Sequence, residues 1–163
     1  MSKIEKNIIY SLIFNPLIIE NNNNYKKEII SEFLKEIISL HIVNYNKNDL
    51  YWILNEIIDN SIKYSLNKYS KIYLDFYNIQ DSYILNVRNY TDTNNMNKLL
   101  KCLEDLQYEN DNYLNYYTNK FKDNSAGGVG LLLLYDNFKI IPEIIITKID
   151  ADVYNIKSIF KFS

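Results

Sequence analysis

Apolar residues recur every three or four positions in two stretches of the chain, the spacing that places them on one face of a helix. In the first stretch, from Tyr25 to about Leu40, these positions include Ile29, Phe33 and Ile37, with lysines and glutamates between them. The second runs from Asp49 to about Leu66. Two amphipathic helices are therefore predicted, and Asn48 or Asp49 is the expected N-cap of the second.

Short apolar or alternating runs predict strands elsewhere. The clearest alternation lies near the end of the chain, where Tyr154, Ile156, Ser158 and Phe160 share one face. Polar turns separate the runs, and residues 89–95 are interpreted as a polar exit from a strand. The predicted strands are Ile8–Phe14, Leu17–Glu20, Lys71–Tyr77, Tyr83–Val87, Ile140–Ile149 and Val153–Phe162.

The three glycines of the chain, Gly127, Gly128 and Gly130, stand together in front of an uncharged apolar run. That run predicts a buried helix to about Phe138. A glycine turn that opens a helix leaves free N–H groups facing the loop, which is a favourable place for a phosphate. The alternative is that the glycines only allow the helix to pack closely on a sheet. Two further helical stretches precede them, Met96–Leu106 and a weaker one at Tyr108–Lys122.

Composition and charge exclude several classes of protein. The net charge is −2 and Arg88 is the only arginine, so a nucleic-acid-binding surface is not expected. No apolar run approaches the length of a membrane span, and the N-terminus lacks a signal-peptide pattern. Cys102 has no partner for a disulfide, which favours a cytoplasmic location. His41, the single histidine, is interpreted as a helix-end residue.

The second predicted helix carries a possible site. Glu56 and Asn60 are four residues apart and lie on one side of the helix, with Lys63 on the same side a turn later. A carboxylate, an amide and an ammonium beside an apolar stripe suit the rim of a binding site. They equally suit an ordinary solvated face.

The order of these motifs is more specific than either motif alone. A Glu-x-x-x-Asn helix, two strands, a variable insert and Gly-Gly-x-Gly-Leu resemble the ATP-binding domain shared by gyrase B, Hsp90, histidine kinases and MutL (the GHKL superfamily). Within it, the chain is most similar to small stand-alone regulators related to anti-sigma-factor serine kinases. The resemblance implies one domain over residues 1–163, with leading strands and a helix over 1–48 and a lid over 94–126. The implied fold is a two-layer α/β (α+β) sandwich with a mixed, mostly antiparallel sheet and helices on one face.

The resemblance also implies roles for residues of this chain. Asn60 matches the asparagine that holds Mg²⁺ on the phosphates of ATP, and magnesium needs few protein ligands. Glu56 matches the general base, and Lys63 lies where a basic residue approaches phosphate. The segment containing Gly127, Gly128, Gly130 and Leu131 matches the glycine box that cradles the phosphates.

One segment departs from the family. After the second strand the family has Asp-x-Gly-x-Gly, in which the aspartate accepts a hydrogen bond from the adenine amino group, whereas this chain has Asn89-Tyr90-Thr91-Asp92-Thr93. Asn89 still offers a carbonyl oxygen, but a neutral one. Thr91 and Thr93 bring branched side chains where the family has glycine.

Two functions follow as hypotheses. The first is an ATP-binding regulatory protein, a small Ser/Thr protein kinase or anti-sigma-type switch in bacterial signalling. Its expected partner is a small regulatory protein resembling an anti-sigma-factor antagonist or a sigma factor, and its size leaves a homodimer open. The second is a degenerate relative that binds a protein without turning over ATP. They differ in whether Glu56 faces a nucleotide-sized cavity or one filled by Tyr90.

Overall fold

In the part of the chain that the structure describes, five strands form one sheet, and helices cover one of its faces. A computed structural model describes residues 7–15, 25–66, 70–79, 82–108 and 129–162. The strands run in the spatial order β1-β2-β3-β5-β4, and all four pairings between described strands are antiparallel. Their bounds are β1 Asn7–Phe14, β2 Ile72–Ile79, β3 Ser82–Thr91, β4 Glu143–Asp150 and β5 Val153–Phe162. The helices are α1 Tyr25–Ser39, α2 Lys47–Lys63, α3 Thr93–Tyr108 and α4 Val129–Phe138.

Alternation along the central strands sends one set of side chains toward the helices. Phe76 of β2 pairs with Leu85 of β3, which in turn pairs with Phe160 of β5, and all three are buried. Val87 continues the same face of β3. Since side chains alternate along a strand, Asn89 and Thr91 of β3 lie on this helix-facing side as well. The inner face therefore changes from apolar to polar toward the end of β3.

Helices α1 and α2 pack on each other and on this inner face. Their buried apolar positions follow the period of three and four that the sequence predicts. Leu134 of α4 joins the same core. The helical members of this core are Leu34, Ile38, Leu50, Ile53, Leu54, Ile57, Ile58 and Leu134.

The predicted two-layer α+β sandwich is confirmed. β1 lies at one edge of the sheet, as the apolar run Ile8–Phe14 predicts. His41 follows the end of α1, and its ring lies 6.0 Å from that of Phe76 and 5.7 Å from that of Tyr83, measured between centroids. It therefore belongs to the packing of a helix end, as predicted.

Two local predictions are wrong. The N-cap of α2 is Asn46, whose side chain accepts a hydrogen bond from the backbone N–H of Asp49 at 2.9 Å, so the helix begins before Asn48. The segment after Val87 is not an exit loop, because β3 continues to Thr91 and pairs with β5 as far as Tyr154. Tyr90 and Thr91 favour strands, and pairing with β5 outweighs the low strand propensity of Asn89.

Some predictions fall outside the described residues. These are the strand Leu17–Glu20, residues 80 and 81 of the β2–β3 turn, and nearly all of the helix predicted at Tyr108–Lys122. Among the helices of the described ranges, none combines the length and the apolar character needed to cross a membrane.

Candidate functional site

A cavity lies where the end of α2, the inner face of the sheet and α3 meet. It encloses about 730 Å³ when its open mouth is included. Its described polar lining comes from α2, the sheet and α3 and consists of Asn60, Ser61, Asn89, Thr91, Asn95, Lys98 and Ser158. Its remaining walls are Ile57, Tyr64, Leu99, Ile144, Ile156 and Phe160. A concave, largely apolar site with a few convergent polar groups is typical of small-molecule binding.

Helical spacing explains how α2 reaches the cavity. Ile57, Asn60, Ser61 and Tyr64 are spaced at i, i+3, i+4 and i+7, so they lie on one face of the helix. Ile57 continues the buried apolar stripe of α2. Asn60, Ser61 and Tyr64 follow it on this face with an amide, a hydroxyl and a phenol. The last turn of α2 thus presents polar side chains on this face, whereas its earlier turns present buried apolar side chains.

Two residues that line this cavity each carry a buried polar atom that has no hydrogen-bond partner within the described structure. These atoms are Nδ2 of Asn60 and Oγ1 of Thr91. Leaving a buried donor or acceptor unsatisfied costs about 1–3 kcal/mol, so such groups are uncommon and call for an explanation. Both residues line the same cavity, so a ligand that reached these two atoms from it would satisfy them together.

The side-chain amide of Asn89 already makes one hydrogen bond within the fold. Its Nδ2 donates to the backbone carbonyl oxygen of Ser61 at 3.3 Å, and the residue is only 7% exposed. That bond leaves Oδ1 as the acceptor that Asn89 can offer to a ligand. Its direct neighbour across the sheet is Ile156 of β5, another wall of the cavity.

Lys98 is the one cation among the described residues that line the cavity, and no carboxylate lines it with them. Its side chain is exposed, whereas the orphaned amide nitrogen of Asn60 is buried. Charge in the described lining is therefore positive, which favours an anionic ligand group.

The helix that carries Lys98 is fixed at its beginning. Oδ1 of Asp152, in the β4–β5 turn, accepts a hydrogen bond from the backbone N–H of Thr93 at 3.0 Å. Oδ1 of Asp92 accepts one from the N–H of Asn95 at 2.8 Å. Two carboxylates thus satisfy free N–H groups in the first turn of α3 and interact favourably with its dipole.

The structure brings Asn60 and Asn89 together in this cavity, but Glu56 and Lys63 are not among its described lining residues. Tyr90 is not among them either, because it alternates with Asn89 and Thr91 on β3 and faces the other side of the sheet. The cavity is therefore open rather than filled by Tyr90.

Glu56 lies one turn before Asn60 on α2 and is half-buried. Burial raises the pKa of its carboxyl above the ordinary value, and the negative charge of Asp59 adds to this rise. Lys27 and Lys63 act in the opposite direction. Lys27 pairs directly with Asp59, with 2.9 Å between Nζ and Oδ1.

The other predicted site residues are only partly described. Gly127 and Gly128 lie outside the described residues, whereas Gly130 and Leu131 form part of the backbone of α4. The ammonium of Lys63 lies 5.4 Å from the centre of the Tyr64 ring. The predicted lid begins as α3, and its remainder lies outside the described residues. Within the described ranges, no three His, Cys, Asp or Glu residues cluster as a metal site would require.

Sequence patterns did not single out Thr91 or Lys98 as residues that line a binding site. Thr91 stands two residues after Asn89, so recognising a longer β3 would have placed both on one face. Lys98 gave no such signal, because a lysine on an amphipathic helix ordinarily faces solvent.

No family model and no curated protein sequence matches the chain. Among solved structures, it is similar to a chain in the crystal structure of the SiaB–SiaC complex from Pseudomonas aeruginosa, with a TM-score of 0.61 and 11% sequence identity. The alignment covers 94% of this chain and 91% of that chain. At this identity the similarity concerns the fold alone.

Proposed function

We propose that this protein is a nucleotide-binding regulator that takes up ATP with magnesium and acts on a partner protein. The observation that carries the proposal is that Asn60 and Thr91, which line one open cavity, each carry a buried polar atom without a hydrogen-bond partner in the described structure. The described lining has a cation and no carboxylate, which suits a ligand that carries phosphates.

The residues present fit the groups that the family resemblance implies. Asn60 would hold magnesium, since rotation of its amide turns Oδ1 instead of Nδ2 into the cavity and magnesium accepts a single protein oxygen with water as its other ligands. Asn89 would accept from the adenine amino group through Oδ1. Gly127, Gly128, Gly130 and Leu131 keep their proposed role at the phosphates, and Lys63 its proposed approach to them.

Glu56 is the proposed general base. Burial raises the pKa of its carboxyl, so its ionised form is a stronger base than an exposed glutamate. ATP supplies a transferable phosphoryl group when bound, and Glu56 would take the proton from a Ser or Thr hydroxyl of the partner. The protein would then be a small Ser/Thr kinase or an anti-sigma-type switch.

One observation favours a second function. Glu56 does not line the cavity with the other described residues, and Asn89 and Thr91 replace family residues. We therefore keep a binding module without ATP turnover as the alternative. In both cases a small regulatory protein is the proposed partner, and the similarity to a chain from a two-protein complex supports an assembly of this kind.

The test is a calorimetric titration of Mg-ATP into the wild-type protein and Asn60→Ala. Micromolar binding that the variant loses supports the site, and the control Asn48→Ala, on an exposed residue at the other end of α2, should bind as the wild type does. Binding that survives in Asn60→Ala contradicts the role of Asn60. No binding at millimolar ATP contradicts the nucleotide proposal.

Phosphate transfer is tested separately with Glu56→Gln. Proteins captured by the wild type from its native cells are incubated with radiolabelled ATP and either form of the protein. A kinase labels a captured protein only with Glu56 intact, while both forms bind ATP. Labelling by neither form, together with retained capture, favours the binding module.

A further inference from the structure

We propose that Thr91 and Lys98 contact the two ends of the bound nucleotide, the Thr91 hydroxyl bonding to the base and the Lys98 ammonium to the phosphates. This inference rests on the proposed nucleotide function and assigns two residues that the family resemblance does not. It makes Thr91 a specificity-determining residue on the floor of the cavity and Lys98 an anion contact at its mouth.

Thr91 lies where its hydroxyl would contact the base of a bound nucleotide. It is 2% exposed, and its Oγ1 is buried without a partner while its residue lines the cavity. It shares the inner face of β3 with Asn89, about 7 Å away along the strand by the strand rise. The apolar walls Ile57 and Ile156 border the same space, so a flat heterocycle bound between them would turn its polar edge toward both side chains.

The Thr91 hydroxyl adds a second polar group beside the amide of Asn89. One N–H of Asn89 Nδ2 donates to Ser61, and Oδ1 is the acceptor that Asn89 offers to the base. A threonine hydroxyl donates or accepts, so it can pair with a ring nitrogen beside the amino group that Asn89 recognises. Oδ1 of Asn89 and the Thr91 hydroxyl, on the same face of β3, would together recognise the polar edge of a base.

Lys98 lies where its ammonium would contact the phosphates, at the opposite end of the nucleotide from the base. It lies on α3, whose first turn is held by Asp92 and Asp152, and its exposed side chain borders the cavity. No carboxylate among the described lining residues competes for its ammonium. An exposed cation at the mouth and uncharged polar groups on the floor fit a ligand with a neutral ring and an anionic tail.

The experiment compares two ligands and two variants. Adenosine and Mg-ATP are titrated into the wild type, Thr91→Val and Lys98→Gln, with adenosine measured by competition against a fluorescent ATP analogue. Thr91→Val keeps the side-chain shape and should weaken both ligands by a similar factor of about 3 to 10. Lys98→Gln should weaken ATP about tenfold at low salt and change adenosine binding by less than twofold.

Matched controls carry the same substitutions outside the cavity. Thr147→Val changes an exposed threonine of β4, and Lys101→Gln changes an exposed lysine of α3. Neither residue lines the cavity, so both variants should bind both ligands as the wild type does.

A second measurement does not depend on binding. Because Thr91→Val removes an unsatisfied buried hydroxyl, it should raise the melting temperature of the ligand-free protein by about 2–4 °C. A melting temperature that falls instead shows that the hydroxyl is satisfied within the fold, which overturns its assignment to the ligand.

The outcomes separate this inference from the function on which it rests. If the wild type binds ATP and both variants bind it equally well, the inference fails and the nucleotide function stands. If Lys98→Gln weakens adenosine as much as ATP, the ammonium does not contact the phosphates and that assignment fails. If the wild type binds neither ligand, the proposed function fails and this inference with it.

Discussion

Nδ2 of Asn89 donates to the backbone carbonyl oxygen of Ser61, 3.3 Å away, and thereby joins the end of β3 to the last turn of α2. Both residues are buried, at 7% and 8% exposure. A carboxylate at this position has no hydrogen to donate and would face a carbonyl oxygen. The asparagine that stands where the resembled family has aspartate is therefore the residue that this helix–strand contact requires.

An aspartate at position 89, as in the resembled family, should destabilise the protein. Asn89→Asp is expected to lower the free energy of unfolding by about 2–3 kcal/mol at pH 7, because it buries a charge and removes the Asn89 hydrogen bond to the Ser61 carbonyl oxygen, which keeps its bond from Ser65 Oγ at 2.7 Å. The loss should shrink on acidification, since a protonated carboxyl can again donate. Urea unfolding at several pH values measures both effects.

The control for that prediction is Asn97→Asp, the same change on an exposed residue of α3. It should alter stability by less than about 0.5 kcal/mol. Equal stability of Asn89→Asp and the wild type would show that the contact with Ser61 is not important in the folded protein.

The N-cap of α2 is a second point at which one amide matters. Asn46→Ala should destabilise the protein by about 1 kcal/mol, because Asn46 Oδ1 accepts from the N–H of Asp49 and Asn46 Nδ2 donates to its Oδ2 at 2.6 Å. Thermal unfolding followed by circular dichroism measures the change. Asn48→Ala should have little effect, and the reverse ranking would restore the N-cap first expected from the sequence.

The periodic parts of the fold were predictable because burial repeats along them. Helices α1 and α2 and the paired strands β4 and β5 follow from apolar spacing alone. The N-cap did not follow, because Asn44, Asn46 and Asn48 are chemically alike and only the register of the helix selects one of them. The end of β3 did not follow either, since Asn89 and Thr91 are buried polar residues that interrupt the apolar alternation.

The site was predictable only as far as its residues stood in recognisable spacing. Asn60 and Asn89 were identified through the family resemblance, and both line the cavity. The cavity itself arises from packing of elements far apart in the chain, such as α2 and β5, which no local pattern records. Lys98 is recognisable only once its helix is placed beside β3 and β5.

Glu56 should make stability depend on pH with a definite sign. The pKa of its carboxyl is raised in the folded protein, chiefly by burial, so its favourable contribution is complete below the ordinary value of 4.5 and is lost as the pH rises through the folded value. Glu56→Gln removes the buried charge. The variant should therefore be more stable than the wild type at pH 7, with the difference closing near pH 4.5.

Chemical unfolding from pH 4 to 8 checks this expectation. Glu104→Gln is a suitable control, because Glu104 is an exposed residue on α3. A Glu56→Gln variant that is less stable than the wild type at neutral pH would mean that the carboxylate makes a favourable contact when ionised.

Asp152 should control the beginning of the helix that carries Lys98. Hydrogen bonds from the Thr93 side chain and backbone N–H hold the pKa of Asp152 below its usual value of 3.8. A lowered pKa means that this stabilisation is present above the unfolded value and is lost as the pH falls through the folded one. Asp152→Ala removes the acceptor at every pH, so the amide hydrogens at the start of α3 should exchange faster at pH 7.

Hydrogen exchange read by NMR at the Thr93 amide measures this loss directly. Asp150→Ala is the matched control, because Asp150 Oδ1 accepts from the neighbouring Ala151 N–H at 2.7 Å within the same turn. If Lys98 contacts the phosphates, loosening α3 through Asp152→Ala should also weaken ATP more than adenosine, as Lys98→Gln is expected to do. Faster exchange with unchanged ATP affinity would instead separate the anchoring of α3 from ligand binding, and would place the anion contact outside this helix.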